Sequence, residues 1–426
     1  MLQSNISQQN YGQQSIISNN YSPLTFNHSN SLQNPHPFNS QNNDFYFNNQ
    51  NLLSPEIQRQ KTTPTIINNY IQPIGSRMPL EKNHGHTTTG NISNNNEKNS
   101  ERNSIKEEKK PLIIVGNLYE LSEYVDILNN ILTNSGTNEE QITNLIENTN
   151  SKERLSIRGL YSQKYKENLI SKFQKELNGD FKELVIGCFM SQIEYDTYCL
   201  NNSIKGLGIK EGVLSEIIGS RTTSELQAIR KFYMFKNGKS LKNDITGGTY
   251  GDYQKLLLAL LQCQRSTSSQ PNTSSCANDA SDLYQLGEKK RENDEETYIR
   301  IFTKSSPSEI AIINHFYKQQ TGKGLLGAID SEFELSGETK NLLDTIVRSQ
   351  VDRYGFYAKK IHDSMDNLNI NYLKLIRIVC ARYTVDLNFI KQAYLRDYDN
   401  ELLEDIESKI EGNIGKIIYS LISKAK

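Results

Sequence analysis

YDTYCLNNSIKGLGIKEGVLSEIIGSRTTSELQAIRKFYMFKNGKSLKNDITGGTYGDYQKLLLALLQCQR, residues 195–265, is the stretch on which the fold turns. Leu214, Ile217, Ile218 and Arg221 fall at helical spacing, and so do Leu226, Ile229 and Phe232. The run from Tyr253 to Leu261 reads as a further apolar helix, opened by Gly251. Asp252 stands in its first turn, where a negative charge complements the helix dipole. No alternating strand pattern interrupts this reading, and after Pro111 only Pro271 and Pro307 remain to break helices.

Working outward, the same landmarks recur. TYGDYQKL at 249–256 has a counterpart in LNGDFKEL at 177–184, which places Gly179 and Gly251 72 residues apart. KGLGIKEG has a counterpart in TNSGTNEE, and Gly136 and Gly208 are again 72 apart. LSGETKNLL around Gly337 and IEGNIGKII around Gly412 supply a third and a fourth copy, at spacings of 86 and 75. The longer spacing is explained by the polar insertion STSSQPNTSSCANDA, read as a linker over 266–280. The units are therefore 111–190, 191–265, 281–351 and 352–426, each about seventy residues of helix closed by a glycine turn. One such unit buries only a modest core, and four stacked units bury much more. Arg221 and Arg382 fall at matching places after apolar helix stretches and are expected to pair with acids inside their own units.

Residues 1–110 differ in kind. They are rich in Asn, Gln and Ser, as in NNDFYFNNQN and NISNNNEKNS, and eight of the ten prolines lie at or before Pro111. Such a composition buries too little apolar surface to offset the entropy of ordering, so a disordered tail is expected. Asn-rich tracts with interspersed Tyr and Phe also self-associate.

Composition removes several function classes. A formal charge of −1 gives no global bias toward nucleic acid. The five cysteines, Cys188, Cys199, Cys263, Cys276 and Cys380, form no CxxC pair, which fits free thiols in a reducing compartment. No secretory signal opens the chain, and LLLALL at 256–261 is too short to span a bilayer. A cytoplasmic protein that meets membranes from the surface is the expectation. His315 and His362 have no zinc-ligand partner at useful spacing. P-loop, GxGxxG and GxSxG motifs are absent, so no enzyme is expected.

The KGLG loop, SRT-x-x-EL, G-x-SL-x-x-DI and GDYQKLLLALL of the second unit resemble, nearly end to end, an annexin repeat. The resemblance covers about Pro111 to the C-terminus. It is strong in unit two, clear in unit one, and weaker but length-preserving in units three and four. It implies an all-α fold: four five-helix repeats in a curved disk behind the tail. It also implies calcium-dependent binding of acidic phospholipids.

The chemistry is sound on the residues alone. Calcium is a hard cation that takes six to eight oxygen ligands, backbone carbonyls and a bidentate carboxylate among them. A short loop with glycines turns several carbonyls toward one point. A single acid leaves the ion under-neutralised, and lipid phosphate completes its shell. The resemblance places that acid about forty residues after the loop, before the last helix of each unit. In unit one the set is Leu132, Asn134 and Gly136 with Glu176, Asn134 standing where the family has its first loop glycine. Asn reaches left-handed conformations more readily than most residues. Unit two has the better loop, Ile204, Gly206 and Gly208, but Gly248 at the acid position. Unit three has Glu334 at that position, while its loop carries Gly287 and Lys290 amid three adjacent cations. Unit four has Lys409 there, and its site reads as lost.

The expected function is therefore calcium-dependent attachment to anionic membranes. The alternative is a calcium-independent scaffold on the same fold, binding cytoskeletal or other proteins through the tail.

Overall fold

Each seventy-residue period becomes five helices in the computed structural model, which describes residues 118–134, 138–205, 208–268, 270–287, 295–331, 335–365 and 369–425. The expected tail lies outside these residues, as do Gly136, Gly206, Lys290 and Glu334. The first repeat comprises α1 (Leu118–Thr133), α2 (Glu139–Asn148), α3 (Ser151–Tyr165), α4 (Leu169–Glu176) and α5 (Gly179–Cys188). The second comprises α6 (Gln192–Lys205), α7 (Glu211–Ser220), α8 (Thr223–Asn237), α9 (Leu241–Gly248) and α10 (Gly251–Leu260). The third comprises α11 (Thr273–Gly287), α12 (Glu295–Lys304), α13 (Pro307–Thr321), α14 (Leu325–Ser331) and α15 (Gly337–Val351). The fourth comprises α16 (Arg353–His362), α17 (Tyr372–Arg382), α18 (Leu387–Tyr398), α19 (Leu402–Lys409) and α20 (Gly412–Ser423). Among the described residues there is no strand.

The sequence writes the helix ends. Asn150 with Glu153, Thr222 with Glu225 and Ser306 with Glu309 form reciprocal capping boxes at the starts of α3, α8 and α13. In the fourth repeat Asp386 precedes α18 without capping it, because its carboxylate is held by Arg382. Before the fifth helix, Gly179, Gly251 and Gly412 take φ of 60°, 61° and 70°, a turn that a side chain would strain. Gly337 does not take positive φ. There Ser336 caps α15 through a hydrogen bond from Thr339 N.

The stretch read as a linker, 266–280, is helical from Thr273 onward. Asn272 caps this helix by accepting from Ser275 N, and Cys276, Ala280 and Leu283 form its buried stripe. Small residues in a Ser/Thr-rich run hid the helical spacing.

Leu214, Ile217, Ile218, Arg221, Leu226 and Ile229 are buried as the spacing predicts, while Phe232 is only half-buried. The core divides in two. One cluster joins repeats one and four, where α5 packs on α17 and α2 on α20. The other joins repeats two and three, where α7 packs on α15 and α10 on α12. Gly187 permits the first contact: a Cβ there would lie 2.6 Å from the Cys380 sulfur.

Between the two clusters runs a seam of buried charge. Arg221 pairs with Asp196 at 2.7 Å, inside its own repeat as expected. Arg382 grips Asp386 in its own repeat but also reaches Glu225 of repeat two at 3.0 Å, so its role exceeds the expected internal pairing. Arg353 reaches Glu225 at 3.0 Å and Arg377 reaches Glu216 at 2.7 Å. Burial alone would raise the Glu225 carboxyl, but Arg353 and Arg382 outweigh it and hold the group well below the ordinary range.

Candidate functional site

The first helix of a repeat ends with its last carbonyls free of intrahelical partners, pointing into the loop that follows. In repeat two this loop is closed by Lys210 N donating to Ser203 O at 3.0 Å. Asn371 N donates to Ser364 O in the same way in repeat four, at 2.8 Å. The turn before the fifth helix lies against this loop. The geometry is plain at Gly248, where a Cβ would meet Ile209 Cδ1 at 2.3 Å. An acid at the last residue of α9, or of its counterpart α4, therefore stands beside the loop.

In repeat one that residue is Glu176. Leu132 is buried in the last turn of α1, and Asn134 follows the helix, exposed, with its N–H bonded to Asn130 O at 3.2 Å. Helices α1 and α4 are in contact. The Tyr161 hydroxyl, hydrogen-bonded to Asn129 at 3.1 Å, is pushed up to about 12 by burial first and by Glu167 and Glu176 among its neighbours. Glu176 is thus a carboxylate at the negative end of a helix, a position that asks for a cation. Lysines answer it: Lys172 Nζ stands 3.3 Å away and Lys175 Nζ 3.5 Å away. The Lys172 hydrogen bond is the main reason the Glu176 carboxyl is held below its ordinary value. Among the described residues the candidate donors are oxygens, the Glu176 carboxylate and carbonyls at the end of α1, the kind of donor calcium takes.

The other repeats depart from this arrangement. In repeat two, Ile204 lies in α6 and Gly208 takes φ of 90°, a loop shape that glycine serves. Gly248 supplies no acid, and its neighbour Ile209 fills the space that an acid would need. The backbone of Gly248 is not left-handed, so the obstacle is the isoleucine and not the turn. In repeat three, Gly287 ends α11, and the other site residues lie outside the described stretches. In repeat four, Lys409 is paired with Asp405 at 3.5 Å, so an ammonium occupies the acid position.

Two residues that stand beside the candidate positions were not singled out in the sequence. Lys172 is the fourth residue of α4, where the matching helices of the other repeats have Asp244, Ala328 and Asp405. Ile209 stands where the first repeat has Thr137. Aligning the repeats on one another exposes both.

Comparison with known proteins shows the annexin family model matching four segments, 124–187, 195–260, 278–346 and 356–421. The chain belongs to the annexin family. Annexin A7 of Dictyostelium discoideum is 31% identical over 299 residues, covering 70% of this chain and 64% of that relative. This annexin therefore matches less than two thirds of that relative's length. Annexin A5 of Bos taurus is 32% identical over 286 residues, covering 67% of this chain and 88% of that relative. Among solved structures, a point mutant of annexin A8 with an intact N-terminus aligns with a TM-score of 0.67 at 27% identity, covering 74% of this chain and 98% of that one. Calcium-bound annexin (Sm)1 aligns with a TM-score of 0.57 at 26% identity, covering 72% and 91%. Annexins are in general non-enzymatic proteins that bind phospholipid membranes through calcium. Among the described residues of this annexin no helix is long and apolar enough to cross a membrane.

Proposed function

We propose that this annexin attaches to anionic phospholipid surfaces from the cytoplasm through calcium held mainly at its first repeat. Carbonyls of Leu132, Asn134 and Gly136 would face the ion, and Glu176 would supply the carboxylate. The observation that carries this reading is Glu176 at the C-terminal residue of α4, beside the end of α1 and already drawing cations. The loop of repeat two, with Ile204, Gly206 and Gly208, contributes weakly for want of an acid. Repeat three, with Gly287, Lys290 and Glu334, has an acid and a cationic loop in its sequence, and those cations would meet lipid phosphate directly instead of holding calcium. Co-sedimentation with phosphatidylserine vesicles tests the proposal. Pelleting with calcium and release by chelator are expected, and pelleting indifferent to calcium would sink it.

One observation favours the scaffold alternative: an ammonium lies at or beside the acid position in repeats one and four. On that reading the protein contacts cytoskeletal or other proteins through its tail.

Repeat two offers a gain-of-function test. Gly248→Glu alone drives the new side chain into Ile209, costs about 1 kcal/mol of stability by overpacking, and leaves calcium affinity unchanged. Combined with Ile209→Ala, the same glutamate lowers the calcium midpoint of vesicle binding about threefold by adding a charged ligand. Titration calorimetry with lipid present should show a second calcium event in the double variant only.

A further inference from the structure

Repeat one differs from its sisters in a way that bears on the same site. At the fourth residue of the fourth helix, two sister repeats carry an aspartate and one an alanine, whereas repeat one carries Lys172. A surface lysine extends its ammonium into water. This one does not. Its side chain is 11% exposed, and its Nζ lies 3.3 Å from Glu176 and 3.9 Å from Glu167. Lys175, the other cation beside Glu176, is 75% exposed and free to swing away.

We infer that Lys172 is a built-in counter-cation for Glu176 that sets the calcium threshold of the first repeat, because ammonium and calcium compete for one carboxylate. The inference rests on the reading of Glu176 as a calcium ligand. Its physical basis is the position of that carboxylate. At the end of α4 it faces the negative pole of the helix and needs positive charge whether or not calcium is present. Lys172 supplies that charge in the absence of calcium and raises the concentration at which calcium displaces it. Repeat four shows the same two positions with the signs exchanged, Asp405 and Lys409 at 3.5 Å. There the cation occupies the ligand position itself, and calcium has no carboxylate to claim. The i, i+4 pair on the fourth helix is thus a displaceable lock in repeat one and a permanent one in repeat four.

The test uses the full chain carrying Lys172→Met, which keeps the buried stem and removes the charge, with Lys172→Arg and Glu176→Gln as companions. In calcium-free protein, carboxyl NMR should show Glu176 titrating closer to an ordinary glutamate in Lys172→Met and unchanged in Lys172→Arg. On vesicles of phosphatidylserine and phosphatidylcholine, Lys172→Met should lower the calcium midpoint about threefold, the scale of a partly exposed ion pair. An unchanged midpoint in Lys172→Met, while Glu176→Gln raises its own, overturns the inference and leaves the calcium site standing. An unchanged Glu176 titration in Lys172→Met overturns it as well. An unchanged midpoint in Glu176→Gln removes the site and the lock together.

Discussion

Glu176→Gln raises the calcium concentration needed for half-maximal vesicle binding about tenfold or more, with the helical fold intact. The substitution keeps size and one acceptor oxygen and removes the carboxylate charge of Glu176. Calcium must shed water to enter the loop, and carbonyl dipoles alone do not offset that loss. Gln also releases Lys172, which keeps only Glu167 at 3.9 Å, and the exposed Lys175 from their shared carboxylate, adding positive charge beside the site. Both effects act in the same direction. The fold is spared because Glu176 is partly exposed and its pairs are not part of the core. Sedimentation across a calcium series, with circular dichroism as the control for folding, gives the answer. A midpoint that does not move takes repeat one out of the mechanism and shifts the weight to Glu334 or to the scaffold.

Arg382→Ala destabilises the protein by about 3 kcal/mol or more, the cost of stranding buried charge. Arg382 is fully buried and holds Asp386, itself 1% exposed, together with Glu225 from repeat two. Its guanidinium also lies over the Tyr357 ring, 5.0 Å from the centroid. Removing it leaves Asp386 with Arg353 at 3.4 Å and Glu225 with Arg353 at 3.0 Å, one arginine for two acids. By contrast, Arg158→Ala breaks a pair with Glu194 whose partners are 22% and 21% exposed, and costs about 1 kcal/mol. Urea unfolding of the two variants measures the difference. A loss below about 1 kcal/mol for Arg382→Ala would show that the seam is dispensable. Lysine is a poor substitute here, since it cannot grip both acids with a planar fork.

The period of Gly179 and Gly251 and the helical spacing of Leu214, Ile217 and Ile218 made the helices and their fourfold repetition legible without coordinates. Local signals of that kind survive in a single sequence because each is settled within one or two turns. The start of α11 was not legible, because Cys276 and Ala280 are small and sit among polar residues. Pairing across repeats was not legible either. That Arg382 meets Glu225, 157 positions earlier in the chain, depends on how the repeats pack. At the candidate site the acid position followed from the family pattern. Lys172 could be read from its i, i+4 spacing to Glu176 and from aligning the repeats, but that Ile209 fills the space beside Gly248 depends on side-chain packing across the turn, which spacing alone does not reveal.

The division of the core has a consequence for synthesis on the ribosome. Repeats two and three are neighbours in the chain and share one core, so they can close it once Val351 has emerged. Repeat one shares its core with repeat four and stays half-covered until α20 is made, ending at Ser423. At about 5–20 residues per second, Leu184, Val185 and Phe189 wait on the order of ten seconds or more after translation for their partners. The first repeat to be made is therefore among the last to be completed, and a nascent chain halted before α17 would present its unmet apolar face to chaperones.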